Sequence, residues 1–273
     1  MRANFSAENP IGIFDSGIGG LTVARAIKNM LPQESIIYYG DTAHLPYGDK
    51  STAAIQAYAI RIADFLISQQ CKMIIVACNS ASSAAYDLLK EYLGHKVLLI
   101  NVIDPVINYC REHFANTILG LIGTKRTIQD NIYQKKITRL GINIHVKALA
   151  TPLLAPMIEE GFFNEQVSRQ IINTYLSNDK LSAIEGLILG CTHYPLIVND
   201  INQYYDGKVK IIDSANLVAE SASALLSHHH LNASVEKQQR DVFFVSDFTV
   251  SFEESTKLFF GHQVTLHKNR LWD

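Results

Sequence analysis

The chain alternates short apolar runs with longer segments in which apolar positions recur at helical spacing. Ile11–Phe14, Ser35–Tyr39, Met73–Ala77 and Val97–Val102 have the length and apolar content of buried strands. Between them, Leu21–Met30 and Ser51–Gln69 read as helices, the second opened by Ser51. Ser82–Leu93 reads as a helix ended by Gly94. The pattern then restarts. Thr117–Ile122, Ile144–Leu149, Gly186–Leu189 and Lys208–Ile212 are strand-like, whereas Ile128–Arg139, Gln166–Leu176 and Leu217–Ser227 are helical. Val242–Val245 and Gln263–Leu266 are β-like. Strands alternating with helices predict βαβ units and parallel sheets.

The two halves echo each other. Gly12-Ile13-Phe14-Asp15-Ser16-Gly17 resembles Gly120-Leu121-Ile122-Gly123-Thr124-Lys125. At nearly the same offset, Ile74-Ile75-Val76-Ala77-Cys78-Asn79 resembles Leu187-Ile188-Leu189-Gly190-Cys191-Thr192. The expected fold is α/β: two similar parallel-sheet α/β domains facing each other across a central active-site cleft. Asp104-Pro105 and Asp213-Ser214 each follow a strand and open a helix. The expected division therefore places 1–103 and 213–273 in the first domain and 104–212 in the second.

Composition narrows the class. A length of 273 residues corresponds to about two domains. The sequence carries 24 Lys and Arg against 26 Asp and Glu, a net charge of -2, which gives no basic surface for nucleic acid or an anionic membrane. The opening MRANFSAENP has no apolar leader core, and no apolar run approaches the ~18 residues of a membrane span. Cys71, Cys78, Cys110 and Cys191 form no C-x-x-C pair and read as free thiols in a reducing compartment. His228-His229-His230 reads as solvated surface.

In parallel α/β sheets, ligands bind at the carboxyl ends of strands. Asp15-Ser16, Cys78-Asn79-Ser80 and Cys191-Thr192-His193 all fall at such ends. Both cysteines precede helix starts, with Asn79, Ser80 and Thr192 as expected caps. A helix N-terminus favours the thiolate through its dipole and free N–H groups. Competing motifs fail: Thr22 stands where G-x-G-x-x-G needs glycine, and Gly48-Asp49-Lys50-Ser51 is not a phosphate loop. A zinc site drawn from Cys78, Cys191 and His193 lacks the usual close ligand pairs. Two thiols on facing domains suit proton exchange at a stereocentre, with a base on one face and an acid on the other. Near-attack distances of about 3–3.5 Å on each side would put the sulfurs roughly 7 Å apart.

The motifs Asp15-Ser16-Gly17-x-Gly19-Gly20, Tyr39-Gly40-Asp41-Thr42, Pro46-Tyr47-Gly48, Ala77-Cys78-Asn79-Ser80-Ala81 and Gly190-Cys191-Thr192-His193-Tyr194-Pro195 together resemble the signature blocks of bacterial glutamate racemase. One departure is Ser80, where the family usually has threonine. The resemblance implies interconversion of L- and D-glutamate without metal, pyridoxal phosphate or another cofactor, supplying D-glutamate for peptidoglycan in the cytoplasm, with a possible homodimer. By matching motif, Cys78 would act on the D-glutamate α-proton and Cys191 on that of L-glutamate, with Asp15 and His193 supporting them. Ser16, Tyr47, Gly48, Asn79, Ser80 and Thr192 would hold the amino and carboxylate groups. Either Glu159 or Glu160 resembles a family acidic position near the site. The alternatives are a racemase of another acidic amino acid such as aspartate, a non-catalytic small-carboxylate-binding protein, and a hydrolase with a single cysteine nucleophile.

Overall fold

The computed structural model describes residues 6–163, 165–234, 240–248 and 250–272. In chain order the strands are β1 (Ile11–Asp15), β2 (Ile36–Gly40), β3 (Met73–Val76), β4 (Leu98–Asn101), β5 (Thr117–Gly123), β6 (Ile144–Ala150), β7 (Gly186–Gly190), β8 (Lys210–Ile212), β9 (Val242–Val245) and β10 (Leu266–Lys268). They form two sheets, ordered β10-β9-β2-β1-β3-β4 and β6-β5-β7-β8. Every strand pair is parallel.

The order explains the internal echo. β5 to β8 occupy, within their sheet, the places that β1 to β4 occupy in theirs. In each sheet the first strand is central, flanked by the second and the third. Covered on both faces, β1, β3 and β7 are buried along their whole length, which is why they read as unbroken apolar runs. Between β1 and β3 the chain switches direction across the sheet, and the same holds between β5 and β7. Such a switch opens a crevice at the carboxyl ends of the strands.

The helices are α1 (Leu21–Met30), α2 (Thr52–Ser68), α3 (Asn79–Leu93), α4 (Asp104–His113), α5 (Lys125–Gln129), α6 (Ile132–Arg139), α7 (Leu154–Glu159), α8 (Gln166–Leu176), α9 (Val198–Tyr204), α10 (Ser214–His228) and α11 (Val250–Phe260). Among the described residues no helix is long and apolar enough to cross a membrane. The expected helix over Ile128–Arg139 is two helices, because Asn131 adopts a left-handed φ of 52° and breaks the turn between them. α3 begins three residues earlier than its apolar spacing suggested, and α10 likewise. The last β-like run pairs as Leu266–Lys268 rather than Gln263–Leu266.

The capping expectation is corrected. Cys78 itself is the residue before α3, with no side-chain cap, so Asn79 and Ser80 lie inside the first turn with their side chains free for other partners. Cys191 is followed by a 3-10 turn over Tyr194–Ile197, and its preceding residue is His193 rather than Thr192.

The two sheets meet through an apolar cluster that runs from Ile13 and Leu21, through Val106 on α4 and Val218 on α10, to Leu187 and Leu189. In front of it, polar contacts join the two sides. Ser80 Oγ lies 2.9 Å from Thr124 Oγ1, the Tyr133 hydroxyl donates to Asn79 Oδ1 at 2.7 Å, and the Arg126 guanidinium donates to the Lys50 carbonyl at 2.6 Å.

Candidate active site

The carboxyl ends of β1, β3, β5 and β7 converge on a small cavity of about 60 Å³. Its walls include Asp15, Ser16, Tyr47, Gly48, Cys78, Asn79, Ser80, Cys191, Thr192 and His193, so every site residue expected from the sequence lines one pocket. Each cysteine follows the third strand of its sheet. Both are nearly buried, at 6% for Cys78 and 7% for Cys191, whereas Cys71 and Cys110 are fully enclosed in apolar surroundings away from this cavity.

The two thiols have different neighbours. On the Cys78 side, Sγ lies 3.6 Å from Ser16 Oγ, and the carboxylate whose charge acts on it is Asp15. Burial first, and the Asp15 charge second, push the Cys78 thiol up to about 12. Asp15 turns one oxygen, Oδ2, toward the loop ahead of α1, accepting from the Gly17 and Gly20 amides at 3.2 and 2.9 Å. Its other oxygen is buried and makes no hydrogen bond among the described residues. Burial raises the Asp15 carboxyl above its ordinary range, although His193 and the loop amides pull the other way.

On the Cys191 side, His193 Nδ1 lies 3.5 Å from the sulfur, and His193 Nε2 lies 2.8 Å from Glu159 Oε1. Burial alone would lower the imidazole, but the Cys191 charge, followed by Glu159, outweighs it and holds His193 protonated well above its usual range. The structure thus separates the two adjacent glutamates: Glu159, at the end of α7, reaches the site, and Glu160 is exposed. Phe259 on α11 meets the His193 ring edge-on at 5.3 Å, fixing its plane.

The polar wall is specific. With Asn79 Oδ1 taken by Tyr133, its Nδ2 is buried in the cavity wall without a partner among the described residues. The Tyr47 hydroxyl donates to Asp41 Oδ2 at 2.6 Å, so this residue presents its ring and backbone to the cavity. Gly48 abuts Thr124, where a Cβ would meet the threonine Cβ at 3.1 Å. The Thr22 hydroxyl donates to the Thr192 carbonyl at 2.9 Å and anchors the Cys191 loop to α1.

Several lining residues escaped the sequence reading, among them Thr124, Leu45, Ala155 and Pro156. A signal existed for Thr124. It is the counterpart of Ser16 in the internal echo, a hydroxyl placed after the central strand of its sheet. The counterpart of Asp15 is Gly123, so the second half has no carboxylate there. On that side His193 and Glu159 supply the charge instead. Among the described residues no group of three or more His, Cys, Asp or Glu side chains is arranged to hold a metal ion.

A cavity between two parallel sheets, with one thiol entering from each, is the arrangement of a cofactor-independent amino-acid racemase. The sequence profile of the Asp/Glu/Hydantoin racemase family matches residues 19–222, and the chain belongs to that family. It is 41% identical to a glutamate racemase of Chlorobium phaeobacteroides, covering 92% of both chains. It is 38% identical to a glutamate racemase of Geobacter metallireducens, again covering 92% of both. Its fold matches the crystal structure of the Francisella tularensis glutamate racemase in complex with D-glutamate. That match has a TM-score of 0.89 at 37% identity and covers 97% of this chain and 99% of the other.

Proposed function

We propose that this chain is a glutamate racemase, interconverting L- and D-glutamate by two-thiol proton exchange. The observation that carries the reading is the placement of Cys78 and Cys191 in one pocket with opposite electrostatic support. Cys78, beside Asp15, rests as a thiol. Cys191, with the His193 imidazole 3.5 Å from its sulfur, is the thiol placed to act first as base. As the thiolate, Cys191 takes the α-proton of L-glutamate, and the electron pair left on carbon takes the Cys78 proton on the opposite face. D-glutamate leaves a Cys191 thiol and a Cys78 thiolate, the form that accepts D-glutamate for the reverse reaction.

The remaining groups hold the substrate. The unpaired Asp15 oxygen accepts from the ammonium group, and Asn79 Nδ2 donates to a carboxylate. Ser16, Ser80 and Thr192 add hydroxyls, and Tyr47 and Gly48 add backbone. D-glutamate supply for peptidoglycan is the role that follows.

The domain division at 104 and 213 belongs to the same proposal, supported by strands β5 to β8 pairing only with one another. Four free, buried cysteines support a cytoplasmic location. A homodimer is proposed alongside, supported by Leu153, Phe162 and Val167 being exposed around α7 and α8. The test of function is circular dichroism of L- and of D-glutamate incubated with the purified chain. Loss of optical activity from both is expected, and an unchanged signal from either overturns the reading.

A further inference from the structure

Behind the Tyr47 wall of the cavity lies a chain of contacts that ends far from the thiols. Tyr47 is fully buried, and its hydroxyl donates to Asp41 Oδ2. Asp41 is fully buried as well and accepts two further bonds at its other oxygen, from Ser246 Oγ and from His44 Nδ1, each at 2.8 Å. The His44 ring is held from two sides. It stacks on Tyr58 at 4.1 Å, and the Trp272 ring meets it edge-on at 4.9 Å. Trp272 also meets Tyr58 edge-on at 5.2 Å, and Tyr58 lies 5.6 Å from Tyr47.

The segment that carries Trp272 is tied down by bonds of its own. The Tyr39 hydroxyl donates to the Asn269 carbonyl at 2.8 Å, the Asn269 amide donates to the Val245 carbonyl at 2.9 Å, and Arg61 Nε donates to the Leu271 carbonyl at 2.9 Å. Trp272 is therefore presented to His44 from a fixed strand-end.

We infer that Trp272 is a positioning residue for the reaction, holding the Leu45–Gly48 wall of the pocket in place through His44, Asp41 and Tyr47. It touches none of the groups assigned to catalysis. A buried carboxylate with three donors has one arrangement in which all are satisfied, and His44 is the donor whose ring is open to displacement, being part exposed at 24%. Trp272 closes that side. Without it, His44 is free to leave Asp41, and the Tyr47 hydroxyl loses its fixed acceptor geometry. The pocket wall then samples positions that do not close on substrate.

This inference rests on the glutamate racemase reading, and its test separates the two. Trp272 is the single tryptophan of the sequence, so its emission reports directly on this contact. The first measurement is a fluorescence titration of the unaltered chain with D-glutamate. A saturable change is expected, one that disappears in Tyr47→Phe and in His44→Gln. The second is steady-state kinetics. Trp272→Ala is expected to raise KM by roughly 2- to 10-fold with kcat little changed, the scale set by loss of an aromatic contact. Trp272→Phe should restore most of the loss. Combining Trp272→Ala with His44→Gln should cost no more than the worse single variant. An unaltered chain that does not racemise glutamate would refute the function. An active chain with no fluorescence response, an unchanged KM in Trp272→Ala or additive losses in the double variant would refute the positioning role alone. Should Trp272→Ala fail to fold, the titration and Trp272→Phe decide.

Discussion

Gly19 faces His193 so closely that a Cβ at position 19 would lie 2.2 Å from the imidazole Cε1 and 2.9 Å from Thr192 Oγ1. No side chain fits there unless the imidazole moves. His193 has little room to give, being held by Glu159, Cys191 and Phe259. Gly19→Ala is therefore expected to push His193 away from Cys191 and to lower kcat/KM by about 100-fold, the lower end of general acid–base assistance. Steady-state assays beside a thermal melt check this. A fully active, folded Gly19→Ala chain would show that the His193 position is not needed.

Removing the imidazole itself should reveal the asymmetry of the site. His193→Asn keeps a polar group of similar size but takes the charge away from Cys191. Proton removal from L-glutamate should slow by about 10²–10⁴-fold, and more than exchange at the Cys78 face. The equilibrium constant for enantiomers stays fixed, so the effect must appear in α-proton exchange measured from each enantiomer. Equal slowing from both would make His193 a general substrate-binding residue.

Asp15 should show a conflict between function and stability. Burial raises its folded carboxyl above the ordinary range, so a stability cost builds as pH rises from the ordinary carboxylate value and is complete above the raised one. As pH falls through it, the folded state takes up the proton and the cost disappears. Asp15→Asn removes the charge while an amide oxygen can still accept from Gly17 and Gly20. The variant should melt no lower than the parent at neutral pH, with any advantage shrinking toward acid, and should lose racemase activity. Melts across pH check the sign, and a variant destabilised most at neutral pH would contradict it.

Thiol chemistry separates the four cysteines. Burial pushes Cys71 and Cys110 up to about 12, and burial with the Asp15 charge does the same for Cys78. Cys191 has His193 at 3.5 Å. Near neutral pH, brief treatment with iodoacetamide should modify Cys191 first, as peptide mass spectrometry would show, and His193→Asn should abolish that preference. Faster modification of Cys78 would reverse the roles assigned to the two thiols.

What the sequence revealed, and what it hid, follows from how local each feature is. β1, β3 and the thiols after β3 and β7 were legible because buried parallel strands are apolar throughout and sites gather at their carboxyl ends. α1 and α8 were legible from end to end because their spacing and boundaries are local. The choice between Glu159 and Glu160 was hidden, since adjacent helical residues differ by about 100° in direction and only packing decides which faces inward. The break at Asn131 was hidden because an apolar period continues across it. Asp41 read as part of a polar turn. Its three donors come from Tyr47, His44 and Ser246, the last of them 205 positions away, so no local pattern announces it. α11 was missed altogether. Its buried face runs through Phe252, Thr256, Phe259 and Phe260, and the polar Thr256 at the second position breaks the apolar signal in the sequence.

The central claim is that two thiols act on opposite faces of one carbon, and isotope exchange tests it most directly. L-glutamate is incubated with the purified chain in deuterium oxide, and both enantiomers are recovered at low conversion. The account requires the D-glutamate formed to carry one deuterium at the α-carbon while the remaining L-glutamate stays protiated, because the proton removed by Cys191 is not the one returned by Cys78. The same incubation from D-glutamate should give the mirror result. Deuterium accumulating in the recovered substrate as fast as in the product would mean that one base serves both faces, and the two-thiol account would be wrong.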